Sequence, residues 1–150
     1  MAGNPFWAFS LDFYGRPGVA GACLALQDRC GADVNLVLFA LWAGGVCGAA
    51  LDAGDLQRLR AAVGPWQAGV VGPLRAVRRH LKHDAAAAAL REKVKALELE
   101  AERVEQDRLL AASGLRPGQG DPATAEANLR RLLPAAAETD IRLLIAALAG

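Results

Sequence analysis

The feature that most constrains this chain is an apolar stretch at residues 34–51, VNLVLFALWAGGVCGAAL, in which Asn35 is the one strongly polar side chain. Its 18 residues are close to the shortest helix that crosses a bilayer core of about 30 Å. The stretch is flanked by Asp33 and Asp52, and no nearby basic residue would set the orientation of a membrane span. Glycines in its second half also weaken a helix. We therefore predict a buried central helix that ends near Cys47, with a membrane span or an interfacial segment as the less favoured alternatives.

Composition supports a helical fold. Hydrophobic residues make up 53% of the chain and aromatic residues only 5%, so the apolar content is mostly Ala and Leu, which favour helix over strand. A length of 150 residues is that of one ordinary domain. We predict a single all-α domain over residues 1–150, an irregular bundle of seven to eight helices around the buried apolar helix, with one long charged helix.

Capping residues mark several helix starts. Asn4 precedes Pro5, and Asp121 precedes Pro122. In both pairs, a side chain that can accept a hydrogen bond from the helix backbone stands before the proline that commonly opens a helix. Asp33 stands in the same way before the central apolar helix. These three positions are predicted N-caps.

Glycine–proline pairs predict the interruptions. Gly64-Pro65 is expected to break the short helix that follows the central one. A further helix is expected over residues 66–83, with Gly72-Pro73 as a kink or boundary inside it. Thr139 or Asp140 is expected to cap the final apolar helix.

The least ambiguous element is the long charged helix predicted at residues 84–112. Its apolar residues alternate by four and three, which is the spacing of a heptad seam. The seam residues are Leu90, Val94, Leu97, Ala101 and Val104. Such a helix either packs on the core or projects to pair with another chain, so Leu90, Val94, Leu97 and Val104 are a candidate interaction surface.

The strongest local charge lies just before that helix. Residues 75–83 contain four basic side chains and no acidic one, whereas the whole chain has a net charge of +1. Helical spacing places the basic residues on one face: Arg75, Arg78 or Arg79, and Lys82. We expect this face to pair with glutamates of the next helix, namely Glu98, Glu100, Glu102 or Glu105. The alternative is a site for an anion or a protein partner. The stripe is too short and lacks interleaved aromatics for nucleic acid.

The corner between the second and third predicted helices is the second polar cluster. It spans residues 27–35, QDRCGADVN, but the spacing of its oxygen ligands does not fit a calcium loop. These side chains either satisfy backbone groups or line a small pocket. The candidate ligand-binding residues are Tyr14, Gln27, Asp28, Asn35, Arg75 and Arg78.

Chemistry-bearing motifs are otherwise missing. His80 and His83 have no further ligands at a zinc spacing, neither serine lies in a GxSxG motif, and neither histidine has an obvious acidic orienter. We therefore predict no catalytic residue, no metal and no cofactor, and consider an enzyme the less favoured class. Three cysteines without a CxxC pattern and an N-terminus unlike a signal peptide favour the cytoplasm.

One sequence pattern resembles a known family. An aromatic helix precedes GV, CLxLQD and GxDVNLxLFxxW, and a later VxGPLRAVRRHLK segment lies within residues 66–82. The matching residues are Trp7, Leu11, Tyr14, Gly18, Val19, Cys23, Leu24, Leu26, Gln27, Asp28, Gly31, Asp33, Val34, Asn35, Leu36, Leu38, Phe39 and Trp42. The pattern is similar to that of an uncharacterised family of short helical proteobacterial proteins. The resemblance implies a bacterial cytosolic setting and a dedicated role, without a known activity.

Two functions are consistent with these sequence features. The favoured hypothesis is a non-enzymatic interaction or adaptor protein that uses the charged helix and the basic stripe, by self-association or with a protein partner. The alternative is a small-ligand-binding protein or enzyme with a polar pocket near residues 27–35 and Arg75.

Overall fold

The computed structural model describes residues 3–150, and every regular element within them is helical. This confirms the predicted all-α class. The α-helices are α1 Pro5–Tyr14, α2 Val19–Cys30, α3 Val34–Gly45, α4 Ala53–Trp66, α5 Gly72–His80, α6 Ala88–Ser113, α7 Pro122–Leu132 and α8 Glu138–Ala149. A π-helical segment, Gln67–Val71, joins α4 to α5, and a 3₁₀ turn, Ala85–Ala87, precedes α6. Across residues 3–150 no helix combines the length and the apolar character that crossing a membrane requires.

The three predicted N-caps are confirmed. The side chain of Asn4 accepts from the Trp7 backbone N–H at 3.0 Å. Asp33 accepts from the Asn35 N–H at 2.9 Å, and Asp121 accepts from the Ala123 N–H at 3.1 Å. Each cap satisfies a backbone donor that has no partner within the helix.

Helix α3 lies at the centre of the molecule. Every residue from Asn35 to Gly44 is buried, and α1, α2, α6 and α7 all pack against it. Its aromatic rings contact α1, with Phe39 edge-on to Phe6 at 5.1 Å between ring centroids. Because α3 is apolar on all sides, it is stable only when other helices surround it. It ends at Gly45, two residues before the predicted end.

The glycines of α3 are there for packing. A Cβ at Gly44 would lie 2.4 Å from the backbone nitrogen of Ala125 on α7. The Asp121 N–H donates to the Gly44 carbonyl oxygen at 2.9 Å. A side chain at Gly44 would therefore push α7 away from α3. The sequence-based interpretation of these glycines as weak points of a helix misses this close approach.

The prediction that Gly64-Pro65 breaks a helix is wrong. Helix α4 runs through Pro65, and the chain stays helical through the π segment into α5, where the Gly72 N–H donates to the Gln67 carbonyl oxygen five residues earlier. Packing against α6 holds this region in place. The Trp66 indole N–H donates to the Ala101 carbonyl oxygen at 2.8 Å. Such tertiary contacts offset the hydrogen bond that a proline removes.

Helix α6 packs against α1, α3, α4 and α5 instead of projecting. Its buried side includes Val94 and Ala101 of the predicted seam, but Leu90 and Leu97 are about half exposed and Val104 is half-buried. The inward positions at the remaining turns hold Glu98, Glu105, Gln106 and Leu109. Leu90 and Leu97 therefore do not share the buried face of α6, because several inward positions hold polar residues that a search for apolar periodicity skips.

Several helix ends also differ from prediction. Helix α5 ends at His80, and α6 begins at Ala88 after the 3₁₀ turn, so Lys82 lies in the connection and not on a helix. Helix α8 begins at Glu138 with Ala137 at its N-cap, so neither Thr139 nor Asp140 is the cap. Short connections allow a helix to begin a turn earlier or later at small cost.

Candidate small-ligand site

A cavity of about 280 Å³ lies among α1, α2, α3, α5 and α6, and we call it the Arg75 cavity. Its polar lining residues are Ser10, Tyr14, Gln27, Asn35, Arg75, Arg78, Arg79, Glu98, Glu102 and Gln106. Its apolar lining residues are Trp7, Leu11, Leu24, Val34, Leu38 and Leu99. Side chains from five helices meet here, so the cavity exists only in the folded chain.

Five of the six candidate ligand-binding residues lie around this cavity. They are Tyr14, Gln27, Asn35, Arg75 and Arg78. Asp28 is the exception, since it is exposed on α2 and does not line the cavity. Gln27 and Asp28 are neighbours in sequence and therefore point about 100° apart around the helix. Burying Leu26 and Cys23 turns Gln27 inward and leaves Asp28 in solvent.

Three buried polar side chains form the floor of the cavity: Ser10, Asn35 and Gln106. The Gln106 side-chain N–H donates to Asn35 Oδ1 at 2.9 Å, which ties α6 to the start of α3. Gln106 Oε1 and Ser10 Oγ are buried, and neither has a hydrogen-bond partner among residues 3–150. Native proteins leave few buried polar atoms unpaired, so two on one cavity floor call for an explanation.

Two arginines and two glutamates form the charged wall. Arg78 makes a two-pronged contact with Glu98, at 2.5 Å from Nε to Oε1 and 3.2 Å from Nη2 to Oε2. Arg75 contacts Glu102 Oε1 at 3.2 Å through Nη2 and Glu98 Oε2 at 3.6 Å through Nε. Pairing with α6 glutamates was one of the two alternatives from sequence, and Arg75 and Arg78 follow it. The hydrogen bonds that Arg78 donates to Glu98 raise the pKa of Arg78, so this cation stays charged.

The rest of the basic stripe does not join this network. Arg79 lines the cavity at its exposed rim and forms no ion pair within the described part of the chain. Lys82 is exposed beyond the end of α5 and does not line the cavity. The prediction that Lys82 shares a helix face with Arg75 is therefore wrong, because α5 ends before it.

Burial and charge shift two further groups. Burial raises the pKa of Tyr14, and the nearby Cys23 and Glu102 raise it further. Arg75 and Arg78 oppose this rise. Burial also raises the pKa of Glu102, although the nearby Arg75 opposes it. Tyr14 therefore stays a neutral phenol at physiological pH and can donate or accept a hydrogen bond.

Behind the floor lies a buried carboxyl group. Glu105 is fully buried, and neither of its oxygens has a hydrogen-bond partner in the region described. Burial raises its pKa strongly, and the neighbouring Asp33 raises it further, while the Asn35 amide opposes the shift. Desolvation favours the neutral acid, so Glu105 is protonated over much of the usual pH range.

A second cavity, of about 590 Å³, lies beside the turn between α2 and α3. Arg29, Asp33, Arg60 and Gln67 contribute its polar groups, and Arg60 already donates to the Leu132 carbonyl oxygen at 2.9 Å. None of the six predicted ligand-binding residues lines it. It is larger than the Arg75 cavity, but one of its lining residues, Gln67, has a buried polar atom without a partner, against two such residues in the Arg75 cavity.

Two of the three thiols are held in the protonated form. Cys23, Cys30 and Cys47 are free. Burial raises the pKa of Cys23 to about 12 and that of Cys47 to about 11, so both remain protonated thiols at neutral pH. Within residues 3–150 no group of three or more His, Cys, Asp or Glu side chains is placed to hold a metal ion.

Sequence reasoning missed Ser10 and Gln106 as site residues, and it placed Glu98 and Glu102 only as partners of the arginines. A signal for the α6 residues exists. From Val94, inward positions recur by four and three, and Glu98 and Glu105 occupy places where an apolar side chain is expected. Polar residues at core positions of a helix mark either a buried network or a site. Ser10 carries no comparable signal.

The same chain matches one family model. Residues 5–109 match the family described as "Protein of unknown function (DUF2390)". The chain belongs to this family. The DUF2390 match ends within α6, so it covers every residue that lines the Arg75 cavity but not α7 or α8. The DUF2390 description assigns no activity. No curated protein matches the chain, and no solved structure matches it.

Proposed function

We propose that this protein binds a small molecule in the Arg75 cavity. The observation that carries the proposal is the cavity floor, where Ser10 Oγ and Gln106 Oε1 are buried without partners. A buried amide oxygen without a donor costs about 1–3 kcal/mol, and a bound ligand that donates to it removes that cost. The arrangement is better suited to completion by a ligand than to a structural network.

The size and lining of the cavity support the same proposal. At about 280 Å³ it is close to the lower end of ligand pockets, which begin near 300 Å³. Its lining joins apolar side chains to a few convergent polar groups, as ligand sites usually do. At the rim, Leu11, Leu24 and Leu99 are about half exposed. Exposed leucines around an opening provide apolar surface that a bound ligand would cover.

A thermal-shift screen of metabolites tests this proposal. A compound that binds only the folded state raises Tm, by the equivalent of about 2.7 kcal/mol at a hundred times its Kd. Leu24→Trp narrows the opening, and Leu97→Trp adds the same side chain on an exposed part of α6 outside the cavity. We expect Leu24→Trp to reduce the ligand-induced shift and Leu97→Trp to leave it unchanged. A shift that Leu24→Trp does not alter, or no shift from any compound, contradicts the proposal.

A second candidate function is protein interaction through α6. Leu90 and Leu97 are about half exposed and seven residues apart, and therefore lie on the same side of the helix. Self-association would cover them. Size-exclusion chromatography with light scattering tests this candidate, since Leu97→Asp is expected to dissociate any oligomer. A monomer whose behaviour Leu97→Asp does not change would exclude self-association through this face.

A further inference from the structure

The floor and the opening of the Arg75 cavity differ in chemistry. The floor residues Ser10, Asn35 and Gln106 are each at most 6% exposed, and all three are neutral. Tyr14 and Arg79, by contrast, are exposed at the opening. A ligand that fills the cavity therefore meets uncharged polar groups at its deep end and a charged environment at its outer end.

The floor needs a donor. The Gln106 amide donates one of its two N–H groups to Asn35 Oδ1, while its Oε1, which can only accept, has no partner within residues 3–150. Ser10 Oγ can accept as well as donate. A carboxylate placed here would set its oxygens against Gln106 Oε1 with no cation on the floor. A neutral group with an O–H or N–H satisfies Gln106 and loses nothing to repulsion.

The opening needs an anion. Three arginines and two glutamates line the cavity, which leaves one positive charge uncompensated. Arg75 and Arg78 are already paired with Glu98 and Glu102, whereas Arg79 has no ion pair within residues 3–150. An exposed, unpaired guanidinium at a rim matches a carboxylate or phosphate, both of which present oxygens to its N–H groups.

The walls between floor and opening are apolar, with Leu24, Leu38 and Leu99 among the lining side chains. We infer that the ligand is a small organic anion whose apolar body carries a neutral hydrogen-bond donor at the end opposite the charge. This inference rests on the proposed function and deepens it. Carboxylate and phosphate share the chemistry that Arg79 recognises, so both belong to the inferred class.

Four matched probes separate the two requirements by calorimetry. The probes are ω-hydroxyhexanoate, hexanoate, hexanediol and ω-aminohexanol. ω-Hydroxyhexanoate carries both the anion and the donor, hexanoate lacks the donor, hexanediol lacks the anion, and ω-aminohexanol replaces the anion with a cation. We expect ω-hydroxyhexanoate to bind most tightly, with hexanoate and hexanediol each weaker by about tenfold. ω-Hydroxyhexyl phosphate then compares phosphate with carboxylate at the same site.

Two variants assign each preference to its residue. Ser10→Ala removes a hydroxyl that has no partner in the protein, and Arg79→Gln removes a charge that has no ion pair in the described range. We expect Ser10→Ala to reduce the preference for ω-hydroxyhexanoate over hexanoate, and Arg79→Gln to reduce its preference over hexanediol. The control is Arg29→Gln, an exposed arginine outside this cavity, which should change neither ratio. Circular dichroism and Tm of each variant verify folding.

Each outcome is decisive for the ligand class. Hexanediol or ω-aminohexanol binding as tightly as ω-hydroxyhexanoate would overturn it and leave ligand binding in the cavity intact. Equal weakening of all probes by Ser10→Ala would also overturn it, since a donor-specific contact predicts a change in ratio. If no probe binds at millimolar concentration, the class is wrong, and the metabolite screen above decides separately whether the cavity binds anything.

Discussion

Asn128 and Gln106 both have buried side-chain amides, but they differ in how completely these amides are hydrogen-bonded. Asn128 is fully buried on α7, where its Oδ1 accepts from the Leu51 N–H at 2.8 Å and its Nδ2 donates to the carbonyl oxygens of Ala49 at 2.9 Å and Ala40 at 3.2 Å. Gln106 is equally buried on α6, but it has one partner, and its oxygen has none among the described residues.

The difference separates a structural amide from a candidate binding amide. Asn128 pairs with the Leu51 N–H and the Ala49 carbonyl oxygen, which lie between α3 and α4 and would otherwise be unpaired, so it fixes the path of that connection. Gln106 lines a cavity, and its Oε1 is an acceptor without a hydrogen-bond partner among the described residues. Complete pairing holds a fold, whereas an unpaired buried acceptor beside a cavity gives a ligand something to bind.

The largest expected effect is at Asn128. Asn128→Ala leaves the Leu51 N–H and the Ala49 carbonyl oxygen without partners and removes a further hydrogen bond to Ala40 of α3, so we expect the free energy of unfolding to fall by about 3 kcal/mol. Urea unfolding followed by circular dichroism measures this. Gln106→Met is the matched variant and should cost about 1 kcal/mol or less, since it also removes an unpaired oxygen. Equal losses in the two variants would break the comparison.

Glu105 offers a smaller effect of opposite sign. Its pKa is raised above the unfolded value of 4.5, so the folded protein holds the proton more tightly. Its contribution to stability is therefore fully present below pH 4.5 and declines as the pH rises from there towards the raised pKa. Glu105→Gln removes this dependence, and we expect it to stabilise the protein at pH 8 by on the order of 1 kcal/mol.

Unfolding curves at pH 4 and pH 8 measure the Glu105 effect. The gain should be greater at pH 8 and nearly absent at pH 4, where the wild-type carboxyl is mostly protonated in both the folded and the unfolded state. Glu100→Gln, at an exposed site on α6, is the control and should show no such dependence. A loss of stability at both pH values would mean that the Glu105 carboxylate is charged and paired.

The smallest expected effect is at Ser10. Because its hydroxyl has no partner in the residues described, Ser10→Ala should leave the free energy of unfolding unchanged or raise it by about 0.5 kcal/mol. Thermal unfolding without ligand measures this. A loss above about 1 kcal/mol would show that the hydroxyl is hydrogen-bonded within the protein. Ser10 would then be a structural residue, as Asn128 is.

Local signals in the sequence predict much of the fold. The caps Asn4, Asp33 and Asp121 mark helix starts correctly, since a cap acts within one turn of its own position. The break expected at Gly64-Pro65 fails, because contacts with α6 many residues away hold the helix together. Local chemistry therefore predicts helix starts better than it predicts interruptions.

The candidate site is only partly predictable. Five of the predicted residues line one cavity, namely Tyr14, Gln27, Asn35, Arg75 and Arg78, and polar side chains like these stand out against an apolar chain. Asp28 does not line the cavity, because its position on α2 points it into solvent. Ser10 and Gln106 line the cavity only because helices that are distant in sequence pack together.

The sequence alone determines that the chain is helical and favours enclosure of the apolar stretch from residue 34 by other helices, because a helix with almost only apolar side chains is unstable in water. The tertiary structure decides what that enclosure leaves open. Asn128 finds three backbone partners on one side of α3, while on the other side Gln106 and Ser10 meet a cavity and keep atoms unpaired. Whether a buried polar atom is satisfied depends on neighbours far away in sequence, which local patterns do not encode.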